Sequence, residues 1–386
     1  MAEISIKDIN MIGFSQVTDD EILNFVKAYG AHHYKRLNLV VRKAEGVWLT
    51  DIKDKKYLDC LAAYSAANQG HHHPRIVRAV VEALLGGCGS VVSNMVYSDP
   101  LGIFSKKIAT LVPQLGPRFG ENGNNFHGRM ITVVSFSSTP KYKTGFGPLT
   151  PGFVTVDYGD SDAVEKAINK NTCGILVEPM QGEGGMYIPP DGFLKQLREI
   201  ADRHNLLLIF DEIQVGLGRT GKMFCFEHEN VIPDGVVLGK AISGGVLPLS
   251  VFVTNSALMD IAFQPGSDGS TFGGYPLACV AGIAALDVIV EEKLPAKSAE
   301  KGEILKKKIM EIAAHSPHVK EVRGCGLFIG IEMKGGDAIS YCRKLLDLGI
   351  LANDSHGHTI RISPPLIIND NEIDYLAERL ERVLID

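Results

Sequence analysis

Short apolar runs alternate with amphipathic stretches through the middle of this 386-residue chain. The amphipathic stretches predict helices, for example at residues 162–168 and 192–204. Strands that alternate with helices predict an α/β fold with a mostly parallel sheet covered on both faces. Its strands are predicted at six apolar runs, at residues 131–136, 153–156, 173–177, 206–210, 236–238 and 249–253.

The pattern changes toward both ends of the chain. Three alternating runs before residue 60 predict antiparallel strands, and the sequence after about residue 275 predicts a smaller α+β domain. We therefore expect a segment over 1–50 that packs with the small domain, a large domain over 51–290, and the small domain over 291–386. Further helices are predicted at 19–29, 74–86, 98–112, 276–292, 295–315, 336–348 and 371–384.

Composition excludes several classes of function. The net charge is −6 and no lysine- or arginine-rich tract occurs, so nucleic-acid binding is not indicated. No apolar run is long enough to cross a bilayer, and the first residues lack the pattern of a signal peptide. The seven cysteines include no C-x-x-C pair, which predicts reduced thiols in a cytoplasmic protein and no metal site.

Two of the predicted strands lead directly to a charged residue. The run 206–210 ends at Asp211, and the run 236–238 leads to Lys240. Each residue alone has an ordinary interpretation, a helix cap for the aspartate and a surface amine for the lysine. Ligands of α/β folds bind at the carboxyl ends of strands, however, and a buried carboxylate needs a partner. The two residues together fit a pyridoxal phosphate (PLP) cofactor that is held by the lysine as a Schiff base, with its ring nitrogen paired to the aspartate.

Three further motifs have ordinary interpretations that compete with functional ones. Residues 216–221 match G-x-G-x-x-G, but no helical cap follows, so a tight loop is favoured over a nucleotide site. Residues 268–274 combine hydroxyls with glycines, which is typical of either a simple turn or a phosphate cup. Residues 71–73 are three histidines, for which we favour turn and helix-start roles over metal binding.

Two arginines stand in settings that suggest anion binding. Phe126 could simply be a core residue and Arg129 a surface residue. Alternatively, the two residues could act together, with Phe126 stacking on a ring and Arg129 binding a carboxylate. Arg361 lies inside an apolar strand, where an arginine is rarely buried without a partner. Glu178 and Glu183 follow another strand and are candidate partners.

In this order, these segments resemble the class III (ornithine/acetylornithine-type) aminotransferases of PLP fold type I. The resemblance covers nearly the whole chain. It implies a large PLP-binding domain, a smaller α+β domain, and a homodimer. Its specific matches are residues 29–34 (YGAHHY), 63–71 (AYSAANQGH), 125–129 (NFHGR), 178–183 (EPMQGE), 211–214 (DEIQ), 238–241 (LGKA), 270–274 (STFGG) and 361–365 (RISPP).

The resemblance implies roles around the cofactor. Lys240 would bind PLP and then move a proton between the substrate carbon and the cofactor carbon. Asp211 would keep the ring nitrogen protonated, Gln214 would bond the ring hydroxyl, and Phe126 would stack on the ring. Thr271, with Ser270, would reach the phosphate in the other subunit.

The resemblance also implies substrate contacts. Tyr34 and Arg129 would hold the α-amino and α-carboxylate ends of ornithine, so that its δ-amine reaches the cofactor. Arg361 would bind the α-carboxylate of glutamate or 2-oxoglutarate, and Glu183 would pair with Arg361 when no such carboxylate is present. Tyr64 would line the pocket. The expected reaction is transfer of the δ-amino group of ornithine to 2-oxoglutarate.

One departure from the family pattern is large. Family members carry a strand, a phosphate-binding loop and a helix where residues 112–124 form a direct connection, so about thirty residues, one αβ unit, are absent. Either tight PLP binding is lost, or Arg118 or a partner subunit replaces the loop, or the sequence is incomplete there. An impaired homologue that acts as a binding or regulatory subunit, and a transaminase for another ω-amine such as acetylornithine, therefore remain alternatives.

Overall fold

The computed structural model describes residues 18–31, 36–93, 95–112, 126–264, 266–267 and 269–385. Tyr34 and the shortened segment, including Arg118, lie outside these ranges. The helices are α1 (Asp19–Tyr29), α2 (Ala62–Ser65), α3 (Pro74–Leu85), α4 (Asp99–Leu111), α5 (Ile131–Ser135), α6 (Pro140–Lys143), α7 (Ser161–Ala167), α8 (Phe193–Arg203), α9 (Ser256–Ala262), α10 (Pro276–Glu291), α11 (Leu294–His315), α12 (Ala338–Asp347) and α13 (Asp370–Leu384). The strands are β1 (Val41–Glu45), β2 (Trp48–Asp51), β3 (Lys56–Asp59), β4 (Gly174–Val177), β5 (Leu207–Asp211), β6 (Gly235–Leu238), β7 (Val251–Val253), β8 (Val319–Cys325), β9 (Phe328–Met333), β10 (Ile350–Leu351), β11 (Asn353–Ser355) and β12 (Thr359–Ile362).

The central sheet has the order β4-β5-β6-β7 among the described residues. The first three strands are parallel and β7 is antiparallel, so the predicted mostly parallel sheet is confirmed. Every residue of β5 is buried, as its unbroken apolar sequence requires of a strand covered on both faces. On one face α8 contributes Leu194 and Leu197 to a core shared with Ile175 and Leu208.

Two of the six predicted central strands are wrong. The apolar run at 131–136 forms α5, in which Val134 donates a backbone hydrogen bond to Met130 and the Ser135 hydroxyl donates to Ile131. The run at 153–156 forms no strand. A short apolar run does not distinguish strand from helix by itself, and without a neighbouring strand to complete its hydrogen bonds it does not become a strand.

The remaining sheets join the two ends of the chain. Strands β11-β12-β9-β8 form an antiparallel sheet, and β1-β2-β3 are extended by β10, which runs parallel to β3. The Trp48 indole also donates to Glu372 of α13 at 3.0 Å. Residues on both sides of the expected boundary at 50/51 therefore contact the C-terminal region, while the domain division itself stays a prediction. Within the described ranges, no helix has the length and apolar character needed to span a membrane.

Candidate active site

Asp211 and Lys240 lie at the carboxyl ends of two adjacent parallel strands. Asp211 is the last residue of β5 and pairs in register with Val237 of β6, three residues before Lys240. Lys240 opens a short 3-10 turn with a left-handed backbone, φ 49°. Burial lowers the pKa of the Lys240 amine, while the nearby Asp211 and Glu178 carboxylates act in the opposite direction. A buried amine with a lowered pKa is a competent nucleophile.

The Asp211 carboxylate is held from two sides. The Ile213 backbone N–H donates to Oδ1 at 2.9 Å, and the His127 ring is bonded through Nδ1 to Oδ2 at 2.6 Å. Both the aspartate and the His127 side chain are almost completely buried. His127 was not singled out in the sequence, because only the fold brings residue 127 next to residue 211. The one available signal was its position beside Phe126.

Glu178 fixes the segment that carries Phe126 and His127. One carboxylate oxygen accepts the Phe126 backbone N–H at 3.0 Å, and the other accepts the Gly182 N–H at 3.3 Å. Burial, opposed by the charge of His127, raises the pKa of the Glu178 carboxyl to about 7. The residue lies close enough to Asp211 for their charges to interact. Glu178 therefore links the end of β4 to the Phe126 segment.

Arg361 is buried and paired, as its strand position required. Its Nη1 lies 2.7 Å from Oε2 of Glu183, and its Nη2 donates to Oε1 of Gln214 at 2.9 Å. The Arg361 guanidinium lies 4.8 Å from the centre of the Tyr64 ring, and the Tyr64 hydroxyl accepts from Asn353 at 3.4 Å. The Glu183 side chain remains 29 % exposed, so it can leave the pair. Because Arg361 occupies the Gln214 oxygen, the amide nitrogen is the group of Gln214 left to meet a ligand.

Tyr64 is presented by an unusual turn. The four residues of α2, from Ala62 to Ser65, have positive φ values between 46° and 75°. Residues other than glycine avoid this left-handed conformation, and each costs about 1–2 kcal/mol there. Such strain persists where the surrounding structure imposes it, and it concentrates at functional sites.

A second arginine lies over two aromatic rings. The Arg129 guanidinium carbon is 3.6 Å from the centre of the Tyr142 ring and 5.4 Å from that of Phe126. The two rings meet edge to face at 6.3 Å. Arg129 itself is exposed, and within the described part of the chain it forms no ion pair with a carboxylate. Its charge is available to an anionic ligand.

The two remaining motifs contain an exposed turn and a loop with a buried arginine. Ser270 and Thr271 are exposed, and the Ser270 hydroxyl accepts the Gly273 N–H at 2.9 Å. In the glycine-rich loop, the buried Arg219 donates to the carbonyls of Leu327 and Pro364, which makes this loop a joint between distant segments. Among the described histidines, cysteines and carboxylates, no cluster able to hold a metal ion occurs.

The ring end of this site suits PLP. Lys240 supplies a buried amine with a lowered pKa, and Asp211, anchored by His127, supplies a buried carboxylate for a cationic ring nitrogen. Phe126 supplies an aromatic ring, and the backbone N–H of this residue is held by Glu178. Close packing also shapes the pocket, since a side chain at Gly182 would meet Gln214 Oε1 at 2.4 Å. These donor and acceptor types match the ring of the cofactor.

Comparison with known proteins agrees with this geometry. The family described as aminotransferase class-III matches residues 29–121 and 119–384. Ornithine aminotransferase 2 of Staphylococcus aureus (strain MRSA252) is 45 % identical over 397 aligned residues, which cover 94 % of this chain and 98 % of that protein. This chain is a class III aminotransferase. The family depends on PLP and has fold type I, as the sequence motifs predicted.

Solved structures of relatives support the same assignment for this class III aminotransferase. Ornithine aminotransferase from Toxoplasma gondii, which holds PLP at partial occupancy in its active site, superposes with a TM-score of 0.91 at 32 % identity. The match covers 95 % of this chain and 94 % of that one. Acetylornithine aminotransferase from Elizabethkingia anophelis gives a TM-score of 0.85 at 36 % identity, over 95 % and 99 % of the two chains.

The comparisons also bear on the shortened segment of this aminotransferase. The family match is divided into two parts that meet at residues 119–121. The alignment to the S. aureus protein is longer than the whole 386-residue chain, so that relative has residues that this chain lacks. Both observations agree with the sequence prediction that family residues are absent between Val112 and Asn124.

Proposed function

We propose that this class III aminotransferase uses PLP to transfer the δ-amino group of L-ornithine to 2-oxoglutarate, giving glutamate 5-semialdehyde and glutamate. The observation that carries the proposal is the buried Arg361, whose carboxylate partner Glu183 is partly exposed and can be exchanged. A transaminase of this kind must accept one substrate that carries a carboxylate near the reacting carbon and one that does not. Ornithine aminotransferases among the relatives support the choice of substrate.

The residues of this chain divide the chemistry among them. When bound, PLP supplies an electron-accepting ring that stabilises negative charge at the substrate carbon. Lys240 would hold PLP through its amine, and the same amine could move a proton at the substrate carbon. Asp211 holds a proton on the ring nitrogen, and His127 keeps the aspartate oriented. Phe126 would stack on the ring, and the Gln214 amide would donate to the ring oxygen.

Two arginines select the substrates. For ornithine, Arg129 would hold the α-carboxylate, and Tyr34, which lies outside the described residues, would hold the α-amino group. Glu183 keeps its ion pair with Arg361 in this case. For glutamate and 2-oxoglutarate, the α-carboxylate takes the place of Glu183 on Arg361, since a guanidinium binds a carboxylate through two parallel hydrogen bonds. Tyr64 supports Arg361 through its ring in both cases.

The proposal includes a homodimer in the cytoplasm. Ser270 and Thr271 are exposed on their own subunit, which suits hydroxyls that serve the phosphate site of a partner. Large apolar side chains are also exposed at Val91, Val92, Met95, Val96 and Tyr97, with Met95 at 91 % and Tyr97 at 104 % of full exposure. Such a surface is typical of one that packs against another copy.

A second candidate function rests on the break in the family match at residues 119–121. In this alternative, the chain binds PLP weakly or not at all and acts as a binding or regulatory subunit. Another alternative is a transaminase for a different ω-amine, such as acetylornithine, which the Elizabethkingia relative supports.

One experiment separates these functions. The purified protein is mixed with PLP, and the visible absorbance of the lysine-bound cofactor is followed before and after addition of L-ornithine, N-acetylornithine or L-glutamate. The proposed function predicts a band that both ornithine and glutamate bleach. A missing band at saturating PLP supports the impaired homologue, and bleaching by N-acetylornithine but not ornithine supports the other transaminase. Lys240→Ala removes the band if the lysine is assigned correctly.

A further inference from the structure

The loop over residues 181–187, which carries Glu183, is closed on itself. The Gln181 N–H donates to the Tyr187 carbonyl at 2.9 Å, so the two ends of the loop are joined. The side chain of Met186, inside the loop, is completely buried. In a loop closed in this way, contacts that hold the backbone also fix the point from which the Glu183 side chain extends.

Two side chains of the antiparallel C-terminal sheet hold this loop by its backbone. The Ser355 hydroxyl of β11 donates to the Glu183 carbonyl. Arg323 of β8 donates through Nε to the Gly185 carbonyl at 2.9 Å. Both side chains are buried, and Arg361 lies on β12, which pairs directly with β11. The same sheet therefore carries the arginine and holds the backbone of its carboxylate partner.

Arg361 has supports that do not depend on Glu183. Its Nη2 donates to Gln214, and its guanidinium lies against the Tyr64 ring. The arginine can therefore keep its place when Glu183 moves away, whereas the reach of the Glu183 carboxylate depends on where its own backbone is held. Ser355 thus acts on one member of the ion pair and not on the other.

We infer that Ser355 is a positioning residue that sets how firmly Glu183 competes with a substrate carboxylate for Arg361. The inference rests on the proposed function for the identity of the substrates. Glutamate must displace Glu183, whereas ornithine reacts with the ion pair in place, because an Arg361 charge without a partner would repel its cationic amine. Loosening Glu183 should therefore favour glutamate and disfavour ornithine, while the contacts of Arg129 stay the same for both.

The test measures the two half-reactions separately in the PLP-loaded protein by stopped-flow absorbance, and compares the catalytic efficiency for glutamate with that for ornithine. For Ser355→Ala we expect the glutamate value to rise and the ornithine value to fall, so that their ratio increases about fivefold, a typical effect of one hydrogen bond. In a Glu183→Ala background, Ser355→Ala should change the ratio by less than about twofold, because no carboxylate is left to position.

Ser316→Ala is the matched control. The Ser316 hydroxyl is also buried and donates to the Leu384 carbonyl, which joins the ends of α11 and α13. Its loss removes the same kind of hydrogen bond and should leave the ratio unchanged. Crystal structures without substrate supply a readout independent of activity, since the Glu183 carboxylate should leave Arg361 in Ser355→Ala and stay paired in Ser316→Ala.

Several outcomes would overturn the inference. Equal losses in both half-reactions would mean that Ser355 only supports the fold. An equal change of the ratio in Ser316→Ala, or one that persists in the Glu183→Ala background, would mean that Ser355 does not act through Glu183. An unchanged ion pair in crystals of Ser355→Ala would have the same meaning. If the wild type does not react with ornithine, the proposed function is wrong, and the crystal comparison still decides whether Ser355 positions Glu183.

Discussion

At the scale of single residues, the site depends on carboxylates that the fold removes from water. The Asp211 carboxylate is hydrogen-bonded by the His127 ring and the Ile213 backbone N–H. Glu178 and Glu212 are instead buried with backbone N–H groups as their hydrogen-bond partners. Because burial disfavours the charged form of a carboxylate, both have raised pKa values, about 7 for Glu178 and about 8 for Glu212.

Glu178→Gln should weaken the ring end of the PLP site. The amide nitrogen that replaces one carboxylate oxygen is a donor and cannot accept from a backbone N–H, so either Phe126 or Gly182 loses its hydrogen bond. A hydrogen bond to a charged group contributes about 1.5–3 kcal/mol, so we expect PLP affinity to fall roughly tenfold or more. Titration of the visible band with PLP measures this change.

Glu199→Gln is the control, since Glu199 is exposed on α8 and the substitution has the same chemistry. We expect unchanged PLP affinity for this variant. Equal affinities for Glu178→Gln and Glu199→Gln would show that the Glu178 link to Phe126 does not shape the cofactor site.

Glu212 should make the protein less stable as the pH rises. Its carboxylate oxygens accept from the backbone N–H groups of Cys225 and Phe226 at 2.7 and 2.9 Å, yet burial raises its pKa to about 8 from an ordinary value of 4.5. Between these values the folded chain keeps a proton that the unfolded chain has released. The stabilisation is full below about pH 4.5 and is lost as the pH rises toward 8.

Urea unfolding midpoints between pH 5 and 8.5 measure this dependence. The wild type should lose more stability over that range than Glu212→Gln, which has no carboxyl to titrate. Parallel curves for the two proteins would assign the pH dependence to other groups.

At the scale of secondary-structure elements, the left-handed turn α2 has an unfavourable backbone conformation that the surrounding site imposes on it. Ala63 has φ 47° and is exposed, so its strain is not compensated by burial of its own side chain. Ala63→Gly should raise the free energy of unfolding by up to about 1 kcal/mol, because glycine adopts positive φ without steric cost.

The matched control is Ala377→Gly in the right-handed helix α13. There glycine should lower the free energy of unfolding by about 1 kcal/mol. If urea unfolding shows that the two substitutions change the free energy of unfolding in opposite directions, the backbone of Ala63 is strained. If both substitutions destabilise the protein by the same amount, the α2 backbone is not strained.

Elements of the site differed in how far the sequence could predict them. The run that ends at Asp211 and the run that leads to Lys240 were predicted correctly, because carboxyl ends of neighbouring parallel strands meet at one edge of a sheet. The contact of His127 with Asp211 was not predictable, since it joins residues 84 positions apart. The contact of Tyr142 with Arg129 spans a shorter segment, but that segment contains the apolar run at 131–136 that was predicted as a strand. The helix at α5 was mistaken for a strand because its apolar run fits both.

At the scale of the whole molecule, the proposed homodimer accounts for the apolar surface around Tyr97. Tyr97→Glu should convert the protein to monomers, because a charge buried in an interface without a partner is strongly unfavourable. Sedimentation velocity measures the change, and the visible PLP band should weaken with it if Thr271 of the partner subunit completes the phosphate site.

Ile232→Glu is the control for placing a charge on an exposed apolar residue. Ile232 is 45 % exposed and precedes the amino end of β6, whereas Lys240 follows its carboxyl end. This variant should sediment like the wild type. Monomeric wild-type protein would contradict the dimer directly.

The parallel pairing of β10 with β3 has a consequence for biosynthesis. The edge of β3 at Leu58 pairs with Ile350 of β10, about 290 residues later in the chain, so its backbone hydrogen bonds on that side form only after Ile350 is synthesised. The hydrogen bond from Trp48 to Glu372 spans 324 positions. At translation rates of about 5–20 residues per second, that interval lasts on the order of 15–60 s. During that interval, the unpaired edge of β3 in the nascent chain can contact other newly made proteins and chaperones. A strand near residue 350 is thus the element that covers the edge of a strand near residue 58.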